Sequence, residues 1–67
     1  MTLRVNGDPM EVAAGTTAAG LVEQLGLKPE LVVVEINETI LRRAELPGRE
    51  LREGDQVEIV HFVGGGR

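Results

Sequence analysis

Residues 31–36 read Leu-Val-Val-Val-Glu-Ile, and the fold turns on how this stretch is taken. It is the most apolar run in the chain and is dominated by β-branched residues. Such side chains lose rotamer freedom in a helix and pack well on a pleated surface. The run predicts a strand, Val32 to Ile36, apolar enough to be covered on both faces and hence interior to a sheet.

The segment before it changes period. In "AAGTTAAGLVEQLGLKP", residues 13–29, Ala18, Leu21, Val22 and Leu25 fall on one helical face. Thr16 or Thr17 supplies an N-cap hydroxyl, Gly26 a C-terminal cap, and Pro29 a block to continuation. The spacing predicts a helix from Ala18 to Leu25, with Gly20 inside it at up to ~1 kcal/mol relative to Ala. The opening "TLRVNGDPMEV", residues 2–12, alternates apolar and polar residues on either side of Asn6-Gly7, the pattern of a hairpin.

Downstream, Asn37 and Glu38 turn the chain, and Ile40 and Leu41 form a short strand. "RRAELPGRE", residues 42–50, is polar and broken by Pro47-Gly48, so it reads as a loop. In "ELREGDQVEIVHFV", residues 50–63, Gly54-Asp55 makes a turn and Val57 to His61 a strand, with His61 or Phe62 continuing its alternation.

The element order is ββαβββ. One helix needs one sheet face to bury its stripe, which gives a two-layer α+β domain. The arrangement that satisfies this is a β-grasp: a mixed sheet of four to five strands on one main helix, its first and last long strands side by side in the centre. The expected division is a domain over residues 1–63 and a flexible Gly-rich tail over residues 64–67.

Sixty-seven residues allow one core. Phe62 is the single aromatic residue, so Leu, Ile and Val must build that core. There is no cysteine, which removes disulfides, thiolate metal sites and a cysteine nucleophile. A formal net charge of -4 argues against nucleic acid or an anionic membrane as partner. No apolar run approaches the ~20 residues of a membrane span, and the N-terminus lacks a signal-peptide apolar region, so the default expectation is a cytoplasmic protein.

Catalytic constellations are missing. His61 is the only histidine and reads as a rim residue rather than a base. Glu53 and Asp55 flank Gly54 in a turn, where carboxylates serve local hydrogen bonding. Arg42-Arg43 reads as a solvated pair, and "NGDP" and "GTTAAG" lack the lysine of a phosphate-binding loop. The reading is therefore of a protein that is not itself an enzyme, with no catalytic residue, metal site or cofactor.

What remains is the end, "HFVGGGR", residues 61–67. A glycine run has no Cβ atoms, so a partner can close around its backbone. That suits delivery of a carboxylate into another protein's active site, where ATP converts it to an acyl-adenylate and a nucleophile displaces AMP; if the nucleophile is sulfur, the chain end becomes a thiocarboxylate. Phe62 and Val63 would then form an apolar docking surface beside the tail, and Gly64 and Gly65 would enter the partner. A frayed terminus, or a binding module with an inert tail, is the competing reading.

The whole chain resembles the ThiS family of small sulfur carriers, ubiquitin-like β-grasp proteins of thiamine biosynthesis. The resemblance rests on "VNG", the "AAGTT" lead-in to "LVEQLGL", "VVVEIN", and "REGDQVEIVHFVGGG". It implies an ATP-dependent ThiF-type adenylating enzyme, a sulfur donor enzyme and thiazole synthase (ThiG) as partners, with Gly66 bearing the thiocarboxylate. Arg67 departs from the family pattern, which ends on glycine. A metalloprotease that removes Arg67 is the partner this departure implies, and it keeps carriers of molybdopterin, cysteine or methionine pathways in view.

Overall fold

In the computed structural model, which describes residues 1–62, the chain opens as a hairpin because Asn6 and Gly7 both hold positive φ, 51° and 88°. Two consecutive residues of this hand make the turn whose twist matches that of the strands it joins. The strands are β1 (Thr2–Val5) and β2 (Asp8–Glu11), antiparallel with Val5 opposite Asp8. Pro9 lies in β2, which is an edge strand and tolerates its missing N–H.

The helix α1 (Ala18–Gln24) begins at Thr17, whose Oγ1 accepts from the Gly20 N–H at 3.1 Å. It ends in a Schellman arrangement: the Gly26 N–H donates to the Glu23 carbonyl at 2.9 Å and the Leu27 N–H to the Val22 carbonyl at 3.1 Å. Gly26 sits at φ 75°, which a side-chain-bearing residue rarely adopts. A Cβ on Gly20 would meet only Thr16 and Thr17 side-chain atoms, at ordinary contact distances of 3.5–3.6 Å. Close packing therefore does not require that glycine.

Strands β3 (Val32–Ile36), β4 (Thr39–Leu41) and β5 (Gln56–His61) complete one five-stranded sheet in the order β2-β1-β5-β3-β4. The β1–β5 pair is parallel, the β3–β5 and β3–β4 pairs antiparallel. This is the β-grasp topology, with first and last strands adjacent at the centre. A second positive-φ pair, Asn37 at 50° and Glu38 at 72°, joins β3 to β4.

The core lies between α1 and one sheet face. It consists of Leu3, Val12, Ala18, Leu21, Val22, Val34, Ile36, Val57 and Ile59, with Leu46 and Leu51 from the connection between β4 and β5. Three sequence expectations are corrected here. The "LVVVEI" strand is interior but covered on one face only: Val34 and Ile36 are buried while Val33 and Glu35 are half-buried on the face opposite α1. Leu25 is the C-cap residue and is 37% exposed, so it leaves the buried stripe. Residues 42–50 are not a plain loop. Arg43–Gly48 forms a 3₁₀ helix, opened by the Glu45 carboxylate accepting from the Arg42 N–H at 2.7 Å, and it carries buried Leu46 against α1.

Leu21→Ala removes a side chain that is 1% exposed and is expected to cost about 2–5 kcal/mol. Leu25→Ala is expected to cost less than about 1 kcal/mol, since the surface is already wet. Urea denaturation of the two variants checks both figures. Equal losses would mean that the helix buries a wider stripe than the structure gives it.

Candidate functional site

The C-terminal chemistry predicted from sequence depends on how firmly β5 is held where it leaves the sheet. Two bonds of the parallel ladder tie it to β1: the Arg4 N–H to the Asp55 carbonyl at 2.9 Å, and the Asn6 N–H to the Val57 carbonyl at 2.8 Å. After Asn6 the chain turns away into β2, and β5 would lose its neighbour. The Asn6 side-chain amide fills the gap. Its Oδ1 accepts from the Ile59 N–H at 2.8 Å, and its Nδ2 donates to the Ile59 carbonyl at 3.3 Å. On the other side β3 pairs with β5 through His61, and the Phe62 N–H donates to the Leu31 carbonyl at 2.8 Å. Ordered backbone thus runs to the last described residue.

The entry of β5 is fixed by a polar corner. Buried Asp55 accepts from Asn37 Nδ2 at 3.0 Å and from the Arg52 N–H at 2.8 Å, and its carboxylate lies 3.4 Å from Arg49. Asn37 in turn accepts from the Gln56 N–H and donates its own N–H to the Gln56 carbonyl. Burial alone would raise the Asp55 pKa. The hydrogen bonds from Asn37 and Arg52 and the Arg49 charge outweigh it, and the net shift is below the ordinary 3.8. The local turn role read for Asp55 is present, and sequence reasoning missed its long-range half.

Among the described residues no element covers the sheet face away from α1. By strand alternation that face carries Val33, Glu35, Ile40, Gln56, Glu58 and Val60, with Phe62 continuing the row and Arg4 of β1 beside Gln56. Val60 stands opposite Val33, and Glu58 opposite Glu35. Ile40 is 66%, Val60 56% and Phe62 51% exposed. Along β3 and β5 the face is apolar at Val33, Val60 and Phe62 and acidic at Glu35 and Glu58, while Ile40 stands beside Glu35 on β4.

Phe62 is the one predicted site residue within the described region, and it sits at that apolar end. Val63, Gly64, Gly65, Gly66 and Arg67 lie outside the described residues, and so does every expectation placed on them. His61 is exposed at the rim, and Arg42 and Arg43 are exposed. Val33, Ile40 and Val60 were not singled out from sequence. The signal available for Val60 was its parity, opposite to that of Val57 and Ile59. Among the described residues no group of three or more His, Cys, Asp and Glu side chains is placed to hold a metal, and no helix is long and apolar enough to cross a membrane.

The sequence model of the ThiS family matches residues 3–66. The chain belongs to the ThiS family. Over its full length it is 45% identical to a thiazole synthase of Magnetococcus marinus, of which it spans 21%. It is 37% identical over 62 residues to the sulfur carrier protein ThiS of Thermus thermophilus, covering 92% of this chain and 95% of that one. The crystal structure of the thiamine biosynthesis protein ThiS from Geobacter metallireducens superposes with a TM-score of 0.83 at 36% identity, over 98% of this chain and all of that one.

In this ThiS-family chain the Asp55 corner has a pH signature. A carboxylate whose folded pKa is depressed stabilises the fold above its unfolded pKa, and that contribution is lost as pH falls through the folded value. Asp55→Asn must set an NH₂ group against Asn37 Nδ2 or the Arg52 N–H, both donors. It is expected to cost about 1–3 kcal/mol near pH 7. The gap to the parent chain should close as pH drops below about 3.8. Chemical denaturation between pH 7 and 2.5 measures it, and a gap constant with pH would remove the charge from the explanation.

Proposed function

We propose that this chain is a sulfur carrier for thiazole formation in thiamine biosynthesis and acts as a substrate of other enzymes. The observation that carries the proposal is the family match, which runs through the glycines and ends on Gly66. In this reading residues 1–63 are the domain and residues 64–67 the tail. A ThiF-type enzyme joins the Gly66 carboxylate to the α-phosphate of ATP and releases pyrophosphate. Sulfur at the sulfide level, delivered by a donor enzyme, then displaces AMP and leaves a thiocarboxylate. Gly64 and Gly65 occupy the partner's channel, where side chains would obstruct closure.

Thiazole synthase is the consumer favoured by the relatives. The Magnetococcus marinus protein of that name contains a stretch 45% identical to this whole chain within a polypeptide about five times as long. That observation favours thiazole formation over the molybdopterin, cysteine and methionine alternatives. Phe62, exposed at the end of β5, belongs to the docking surface in this reading, together with Val63. Phe62→Ala should weaken the complex with the adenylating enzyme and leave unfolding stability nearly unchanged. Calorimetric titration and thermal melts of the one variant check both halves.

Arg67 lies beyond the family match and has to be removed before activation. One extra residue displaces the carboxylate by roughly 3.3–3.6 Å along an extended chain, and reactive geometry is lost at about 1 Å. A metalloprotease is the class of enzyme proposed for the trimming. ATP–pyrophosphate exchange with the ThiF-type enzyme should be supported by chains ending at Gly66, and not by those ending at Gly65 or Arg67. Intact-mass measurement should find the activated species without Arg67 and about 16 Da heavier, the difference between sulfur and oxygen, an end-group identity on a chain terminus. Sulfur on a chain that retains Arg67 would overturn the assignment of Gly66.

A further inference from the structure

The acidic middle of the open sheet face has an unusual construction. Glu35 and Glu58 are directly opposed cross-strand neighbours, an arrangement in which like charges destabilise a sheet. With Asn37, Glu38 and Gln56 they line one shallow depression. Glu38 reaches it from a positive-φ position, φ 72°, where glycine would be at ease. Of the seven basic residues, Arg42, Arg43, Arg49 and Arg52 fall in the connection between β4 and β5, and Arg4, beside Gln56 on this face, donates to the Gly7 carbonyl at 3.0 Å. Among the described residues the one ion pair is Arg49–Asp55, so neither Glu35 nor Glu58 has a cation within 4.0 Å there.

The apolar row Val33, Val60 and Phe62 adjoins this depression on the same face, between it and the chain exit. Glu58 precedes Phe62 by four residues, about 13 Å of extended strand. A partner that covers the apolar end to receive the tail must therefore also cover the two carboxylates. Burying two facing carboxylates without a counter-charge is prohibitive.

We propose that the Glu35–Glu58 rung is the seat for an arginine or lysine of the adenylating enzyme, fixing the register of docking about 13 Å behind Phe62. This deepens the function proposed above and rests on it. The seat explains why the like-charge pair is retained against its effect on the free fold. The cation relieves the repulsion only in the complex, and the long reach of charge steers the two surfaces together before the apolar contact closes. Arginine fits better than lysine, since its planar fork donates to two carboxylates at once.

The test uses the full chain and its cognate ThiF-type enzyme, with Glu35→Gln, Glu58→Gln, Glu58→Lys and Val60→Ala. Glu23→Gln, exposed on α1, is the control. Binding is measured by calorimetry at low and high salt, and the free variants by thermal melting. Glu35→Gln and Glu58→Gln should each raise Tm by about 1–5 °C while weakening binding about 3–10-fold at low salt. Glu58→Lys should weaken it by at least about 10-fold, and the salt dependence should shrink in all three. Val60→Ala should weaken binding without changing the salt dependence, and Glu23→Gln should do neither. If the two glutamine variants bind like the parent with the same salt dependence, the seat is wrong and the carrier function stands. If the parent itself neither binds the enzyme nor supports ATP–pyrophosphate exchange, the carrier reading fails and the seat falls with it.

Discussion

The parallel pairing of β1 with β5 is the constraint on which the remaining structure rests. It joins Arg4 and Asn6 to Asp55 and Val57, residues about fifty positions apart, so nearly the whole chain must close before it forms. Such long-range contacts are slow to make, because loop entropy is lost before contact energy is gained. Once made, they place the last strand between two neighbours at the centre of the sheet. The last described residues then lie on a strand with a neighbour on each side rather than on an edge. Asn6 extends that support by two side-chain bonds beyond the point where β1 itself ends.

The helix and the polar corner are consequences of this arrangement. With α1 only seven residues long, one helix cannot cover five strands. Leu46 and Leu51 close the remainder, and the connection that carries them is anchored to the helix start by the Leu51 N–H to the Thr16 carbonyl and the Ala18 N–H to the Arg49 carbonyl. Arg49 also faces Asp55, so the same segment braces both the helix and the entry of β5. Losing the Asp55 charge therefore loosens a junction between layers rather than a single turn.

The elements legible in the sequence were those with a period or a punctuating residue. Asn6-Gly7, Thr17, Gly26 and the alternation of Val57 and Ile59 announced the hairpin, the helix limits and the last strand. Leu46 was illegible because a lone buried leucine in a polar segment with Pro47-Gly48 has no period. "LVVVEI" misled for a different reason: a run of β-branched residues reports preference for a pleated backbone, and says nothing about what covers it. The open face was hidden for the same reason, since Val33, Ile40 and Val60 look like core until the sheet is known to have one layer of helix. The chemistry expected of the glycines at residues 64–66 lies outside the described residues, because a terminus carries its meaning only in a partner's active site.

A domain of this size could have covered its second sheet face with polar side chains throughout. It instead exposes Ile40, Val60 and Phe62 on one side of a five-stranded sheet, beside two facing carboxylates. Scattered apolar residues on a surface need no explanation, but Val33, Val60 and Phe62 side by side along β3 and β5 do. In the function proposed above, a carboxylate activated at the chain end is useful only if the partner can find it, and a glycine run supplies almost no surface by which to be found. Recognition then has to be carried by folded structure nearby, and β5 is a strand with a neighbour on each side. On that proposal β5 and its neighbours carry the recognition and the same chain carries the carboxylate, so binding the first positions the second.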